Sequence, residues 1–249
     1  MSDLENKVAY VTGAASGIGR ATVRALAREG ARLMIVDSNA EGLEAVRAEL
    51  ADGGADVAKS VIDISDPAAV TRSIEAAVSR FGRLDLAHNN AAIMGPIAPL
   101  IDYPLDAARR LFDVNVFGLF HCLQAQIRVM EPQGSGSIVN TASVSGVHAV
   151  PMISIYTATK HAVIGLTKSA AVEYSVKGIR VNCVCPGFIV TDMTSGRFDA
   201  ETEAVLAAQH PIGRFGQPEE IAETIVFLLS DKASFTTGSA VFADGGQTI

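Results

Sequence analysis

Cysteine is scarce in this chain. Only Cys122, Cys183 and Cys185 occur in 249 residues, an odd number without metal-type spacing, and two of them lie in an apolar run. That excludes a disulfide framework and leaves the three as reduced packing residues. There is no excess of positive charge: 20 Lys and Arg stand against 27 Asp and Glu, a net charge of -7, so no basic field draws nucleic acid or an anionic membrane surface. No apolar run approaches the ~18 residues of a membrane span. The opening MSDLENK carries both charge signs and runs straight into a strand-like stretch, with no room for a signal peptide, so a cytoplasmic protein is expected. His88, His121, His148, His161 and His210 form no ligand spacing, and no catalytic metal is expected. There is also no internal repeat, low-complexity tract or linker.

What is present is a 49% hydrophobic chain long enough to bury one substantial core, read as a single domain over 1–249. Apolar β-rich stretches alternate with helix-like ones throughout, the rhythm of a parallel sheet covered on both faces. Strands are expected at 7–12, 32–37, 56–62, 84–88, 136–142, 179–184 and 238–243. Helices are expected at 17–29, 40–51, 67–81, 105–131, 152–176 and 218–230, the last opened by Pro218 with Glu219 and Glu220 in its first turn. Residues 186–217 break the rhythm, being rich in Gly, Pro and polar residues around AETEAVLAAQ. Because ligands of such sheets sit beyond the carboxyl ends of strands, this segment is a candidate lid.

Directly after the first strand come Thr12-Gly13-Ala14-Ala15-Ser16-Gly17-Ile18-Gly19, with a helix beginning inside them. Glycines there permit a tight turn and bring backbone N–H groups, at a helix N-terminus, close to a pyrophosphate. The spacing is Gly-x3-Gly-x-Gly, and alone it is a weak signal. The second strand then ends in Asp37, placed to accept hydrogen bonds from adenosine ribose hydroxyls, or to cap the helix at 40–51, or both. Asn89-Asn90-Ala91-Ala92 ends the fourth strand, where the Asn side chains could hold two strand ends together or reach the adenosine. Asp63 ends the third, and either faces an adenine amino group or caps a turn.

Tyr156 and Lys160 stand four apart at the start of a helix, so both project from one face. A cation beside a phenol favours the phenolate, lowering a pKa of ~10 by ~1–3 units, and the phenol then serves as a proton acceptor. Ser143, just past the fifth strand, lies on the same edge, where its hydroxyl can bond a substrate oxygen.

Taken together, Thr12-Gly13-x3-Gly17-x-Gly19, Asp63, Asn89-Asn90-Ala91, Asn115, Ser143, Tyr156-x3-Lys160 and Pro186-Gly187 resemble the short-chain dehydrogenase/reductase family from Lys7 to Gly246. The resemblance implies an α/β fold, a single doubly wound Rossmann domain with seven parallel strands in the order 3-2-1-4-5-6-7. It implies that Tyr156 is the general acid/base, that Lys160 tunes it and binds the nicotinamide ribose, that Ser143 polarises the carbonyl, and that Asn115 organises a water for proton relay. From the residues alone, Asn115 reads as a buried helix Asn bonded to backbone. The cofactor set implied is Gly13, Ser16, Gly17, Ile18, Gly19, Asp37, Asp63, Ile64, Asn90, Tyr156, Lys160, Ile189 and Thr191, the last two meeting the nicotinamide carboxamide. One departure is Ala92, where the family usually has Gly.

With Asp37, with Ser38 and Asn39 bringing no cation, and with Ser16 where NADP-dependent relatives often carry Arg or Lys, NAD is the expected cofactor. His210-Pro211-Ile212-Gly213-Arg214-Phe215 and Ala243-Asp244-Gly245-Gly246 further resemble bacterial cyclic alcohol and diol dehydrogenases. The expected reaction is hydride transfer between NAD(H) and a secondary alcohol or ketone, cyclic or hydrophobic. A 3-oxoacyl thioester or other ketone reductase is the alternative enzyme, and a non-catalytic nicotinamide-binding regulator the alternative of another class. Some of His148, Val150, Pro151, Met152 and Ile153 should border the substrate, with Met94, Val144, Ser145 and Phe188 as further candidates; His148 either binds a second hydroxyl of a diol or, the favoured reading, is a half-exposed loop residue. Ala158, Ala162, Gly165 and Ser169 form a stripe of small side chains that either rests on the sheet or forms a subunit contact, and the family commonly assembles as a homotetramer.

Overall fold

The structure is a computed structural model that describes residues 4–194, 196 and 199–249. Ser195, Arg197 and Phe198, which fall in the expected lid, lie outside the described residues, as do Met1 to Asp3. Seven parallel strands form one sheet: β1 (Val8–Thr12), β2 (Arg32–Asp37), β3 (Val57–Val61), β4 (Leu86–Asn89), β5 (Gly136–Thr141), β6 (Ile179–Pro186) and β7 (Ala240–Ala243). Their order is β3-β2-β1-β4-β5-β6-β7, as the resemblance implied. The chain reverses direction across the sheet between β1 and β4, which pair directly with Thr12 opposite Asn89. Both of those strand ends therefore open on one crevice.

Helices α1 (Gly17–Arg28), α2 (Ala40–Asp52), α3 (Pro67–Phe81), α4 (Leu105–Phe112), α5 (Leu119–Gln133), α6 (Ser154–Tyr174), α7 (Ala200–Ala208) and α8 (Pro218–Leu229) cover both faces. A strand's side chains alternate between faces, so a doubly covered strand is apolar at every position. In β1, Val8 and Tyr10 join one buried cluster with Ile74, Leu123 and Val181, while Ala9 and Val11 join a second with Leu26, Ile35 and Ile225. The short helix expected within the 186–217 segment is α7. It is capped by Asp199, whose carboxylate accepts from Thr202 N at 2.8 Å.

One expectation needs correction. The continuous helix at 105–131 is interrupted by a π-helical segment, Asp113–Gly118, between α4 and α5. The physical reason is at Asn115: its carboxamide accepts from Ile93 N at 2.8 Å and donates to Ile93 O at 2.8 Å and to Thr159 Oγ1 at 3.2 Å. These bonds hold the widened turn against the loop after β4. π-bulges of this kind cluster at functional sites.

Candidate active site

A cleft of about 330 Å³ opens across the carboxyl ends of β1, β2, β4 and β5. Gly13, with φ +66°, turns the chain out of β1, and a Cβ there would stand 2.7 Å from Asn90 Nδ2. A Cβ on Gly19 would stand 1.9 Å from Gly13 O. Only glycine lets the helix start pass this close beneath the turn. Helix α1 then begins after Ser16, whose backbone is extended, with no side-chain cap and no acid in the first turn. Its first N–H groups, at the positive end of the helix dipole, thus face the cleft without a side-chain acceptor, which suits an anion such as a pyrophosphate.

At one end of the cleft the Asp37 carboxylate accepts from Ala15 N at 3.0 Å and Asn39 N at 2.9 Å. The alternatives for Asp37 therefore separate: the residue capping α2 is Asn39, which accepts from Gly42 N, and Asp37 lines the cleft. Asp63 caps its own turn through Ser65 N and Oγ, and its other oxygen is held by Arg110 at 2.6 Å. Burial works against the Asp63 carboxylate charge, but the Arg110 guanidinium and the Ser65 bonds overcome it and hold the carboxyl below its usual range. Sequence reasoning missed Arg110, because nothing along the chain links α4 to the end of β3.

The tandem asparagines tie strand ends together. Asn90 donates to Gly13 O at 3.1 Å, while its own N–H and that of Ala91 both bond Thr12 Oγ1. Asn89 turns to the other face into a buried network with Gln126 and Asn140, and Asn140 continues it to Thr167. A lone Asn inside the apolar strand Gly136–Thr141 was the available signal for that network.

At the far end, Tyr156, Lys160 and Ser143 converge on the cleft. Lys160 is buried, donates from Nζ to Thr141 O at 2.8 Å, and stands 5.5 Å from the Tyr156 ring centre. Loss of hydration pushes this ammonium down to about 8. For Tyr156 the expected lowering is not what the protein alone produces. Burial pushes the phenol up to about 12, and a hydrogen bond with Ser143 acts in the opposite direction. The reason is that the cost of desolvating a phenolate outweighs the Ser143 hydrogen bond that favours it. Beside Lys160 a small cavity of about 10 Å³, about the space of one water, has Thr12, Asn89, Asn115 and Thr141 on its polar side and Leu119 and Val163 on its apolar side.

Gly13, Ser16, Gly17, Ile18, Asp37, Asp63, Ile64, Asn90, Ile189 and Thr191 all line the same cleft, whereas Gly19 backs its glycine turn and Asn115 borders the small cavity beside Lys160. Along Phe188–Val190, Phe188 and Val190 pair with Gly216, so alternation turns the Ile189 backbone the other way. Thr194, absent from the sequence reading, donates to Ile189 O at 2.6 Å and accepts from Thr191 N at 3.0 Å. None of the residues expected to border the substrate lines this cleft. Val144, Ser145 and Ile153 are buried, and Phe188 points away toward His210 and Phe215. Ala92, Ile93 and Met193 form the apolar wall instead. Among the described residues no cluster of three His, Cys, Asp or Glu could hold a metal, and no helix is long and apolar enough to cross a membrane.

A seven-stranded parallel sheet with an anion-receptive glycine turn at its switch point and a Ser-Tyr-Lys group on the same edge defines a dinucleotide-dependent oxidoreductase architecture. A family model described as "Enoyl-(Acyl carrier protein) reductase" matches residues 13–248, and the chain belongs to this short-chain dehydrogenase/reductase family. It is 43% identical to a cyclohexanol dehydrogenase of Acinetobacter sp., over 98% of this chain and 95% of that one. With a 2,5-dichloro-2,5-cyclohexadiene-1,4-diol dehydrogenase of Sphingobium indicum it shares 47% identity over 100% and 99% of the two chains. The solved structure of an NAD+-bound xylitol dehydrogenase superposes with a TM-score of 0.92 at 35% identity, covering 98% of this chain and 99% of that one.

Proposed function

We propose that this chain is an NAD-dependent dehydrogenase/reductase that interconverts a cyclic or hydrophobic secondary alcohol and its ketone. The observation that carries the reading is the convergence of Ser143, Tyr156 and Lys160 at one end of a cleft whose other end holds Asp37 and the uncapped start of α1. The α1 N–H groups with Gly13, Ser16, Gly17 and Ile18 would hold the pyrophosphate, Asp37 the adenosine ribose, and Asp63, Ile64 and Asn90 the adenine side. Lys160 would hold the second ribose, and Ile189 and Thr191 the carboxamide. When bound, NAD supplies the two-electron acceptor at its nicotinamide ring.

In alcohol oxidation Tyr156 takes the hydroxyl proton, and in reduction it returns one. Ser143 Oγ bonds the same substrate oxygen and the phenol, so the proton moves along a short, fixed path. Lys160 keeps its charge beneath the phenol by resting on Thr141 O, and with a second positive charge beside the ring the phenolate becomes accessible. Asn115 acts by position: its carboxamide is committed to Ile93 and Thr159, and it bounds the one-water cavity beside Lys160 through which a proton can leave. The apolar wall of Ala92, Ile93 and Met193 suits a carbocycle over a phosphorylated or charged substrate, in keeping with the names of the two relatives above.

We also propose a single domain, a cytoplasmic location and a homotetramer. The three cysteines are free and buried, as suits a reducing compartment. The small-residue stripe of α6 does not rest on the sheet: Ala158, Gly165 and Ser169 are exposed, and so are the rings of Phe117 and Phe120 earlier in the chain. The functional reading is tested by incubating the protein with NAD and a panel of cyclic alcohols and diols while following NADH absorbance, with Tyr156→Phe alongside. Turnover by the native protein and a loss of ~10²–10⁴-fold in the variant are expected. A Tyr156→Phe variant with native turnover would overturn the assignment.

A further inference from the structure

His210 follows α7 and is 2% exposed, yet it lies outside the cleft and takes no part in the chemistry above. Both ring nitrogens are occupied by groups that leave no choice of tautomer. Phe188 N, which can only donate, bonds Nε2 at 3.1 Å, and Leu206 O, which can only accept, lies 3.1 Å from Nδ1. His210 is therefore neutral with its proton on Nδ1. The ring packs edge-on against both Phe188 and Phe215, each 6.0 Å away, and those two stack on each other at 5.5 Å. The fit continues on the chain side, since a Cβ on Gly187 would come within 2.7 Å of Nε2.

The residue so fixed is the one before Ile189. Phe188 O accepts from Gly216 N at 2.9 Å, and Val190 N donates to Gly216 O at 3.0 Å, which pins the segment from the carbonyl side. On the amide side, the Phe188 N–H is held by His210 Nε2. With both ends held, Ile189 and Thr191 are presented to the cleft in one register, and the C-terminal turn of α7 is tied to the same point.

We infer that His210 is a positioning residue for the hydride site: it fixes the Phe188 amide, and through it the Ile189–Thr191 backbone, against the nicotinamide end of the cleft. This rests on the reading of that backbone as the carboxamide-binding segment. It predicts that losing the acceptor at Nε2 disturbs the nicotinamide half of the cofactor and spares the adenosine half, which is held by β1, β2 and α1.

The test compares His210→Leu, which removes the acceptor, with His210→Gln, whose side-chain oxygen reaches the Nε2 position, and His210→Asn, whose oxygen falls short of it. Three quantities are measured on the full chain: affinity for NADH, affinity for ADP-ribose, which lacks the nicotinamide, and kcat and KM with NAD and cyclohexanol. In His210→Leu, ADP-ribose affinity should stay within about twofold while kcat falls about tenfold, the scale of one buried hydrogen bond. His210→Gln should recover most of that loss and His210→Asn should not. If His210→Leu fails to fold, the contrast between Gln and Asn carries the same decision. Equal losses for ADP-ribose and NADH, an unchanged kcat, or Gln and Asn behaving alike would each overturn the inference. A native protein that binds neither nucleotide would instead refute the underlying cofactor reading.

Discussion

Replacing the carboxylate of Asp37 should convert an NAD-selective protein into one that tolerates NADP. Asp37 lines the adenosine end of the cleft, and its oxygens are aimed by the N–H groups of Ala15 and Asn39. The cations that line the cleft are already committed: Arg110 holds Asp63 and Lys160 donates to Thr141 O. A 2′-phosphate would therefore meet Asp37 with no neutralising partner. Two unit charges ~4 Å apart repel by ~1 kcal/mol in water and ~4 kcal/mol at an effective dielectric of ~20. At ~1.4 kcal/mol per decade, the native protein should favour NAD by roughly tenfold to a thousandfold in kcat/KM. Asp37→Asn removes the charge and keeps an acceptor for one of the two N–H groups. Asp37→Ala leaves both N–H groups free to meet a phosphate. The assay is kcat/KM for each cofactor in the native protein and both variants, with a thermal melt to separate folding from binding. Equal use of NAD and NADP by the native protein, or no gain in relative NADP use in either variant, would refute the argument.

Stability of the cofactor-free protein should rise between about pH 8 and 10. Lys160 titrates near 8 when folded against 10.5 unfolded, so above pH 8 the unfolded chain binds more protons and deprotonation lifts the cost of burying the ammonium. The gain is about 2–3 kcal/mol. Above pH 10 the trend reverses as Tyr156, raised to about 12, keeps its proton longer folded than unfolded. Urea unfolding at pH 7.5, 8.5 and 9.5 should show the rise in the native protein and lose it in Lys160→Met; an equal slope in both would exclude Lys160 as its source. Gly19→Ala, which improves most helices by up to ~1 kcal/mol, should here lose NADH binding at least a hundredfold or fail to fold, because its Cβ would stand 1.9 Å from Gly13 O. Native NADH affinity in that variant, read by fluorescence titration, would contradict the packing described for the turn.

Much of the fold was legible because its signals are local. A strand buried on both faces is apolar at every position, a helix start carries Pro or a capping acid, and a glycine turn between the two is visible in eight consecutive residues. The Ser143, Tyr156 and Lys160 group was legible for the same reason, since helical spacing puts Tyr156 and Lys160 on one face whatever surrounds them. What lay beyond the sequence depended on distant segments meeting. The break of the 105–131 helix follows from Asn115 bonding Ile93 across 22 residues, Arg110 reaches Asp63 across 47, and His210 receives the Phe188 amide across 22. The sign of the Tyr156 shift was likewise a tertiary matter, for the helix supplies the nearby cation but only the packed interior sets the cost of removing a phenolate from water. Periodicity and propensity act within a few residues and fix which elements form. Desolvation and long-range hydrogen bonds act between elements, and they decide which side chains face the cleft and in what charge state.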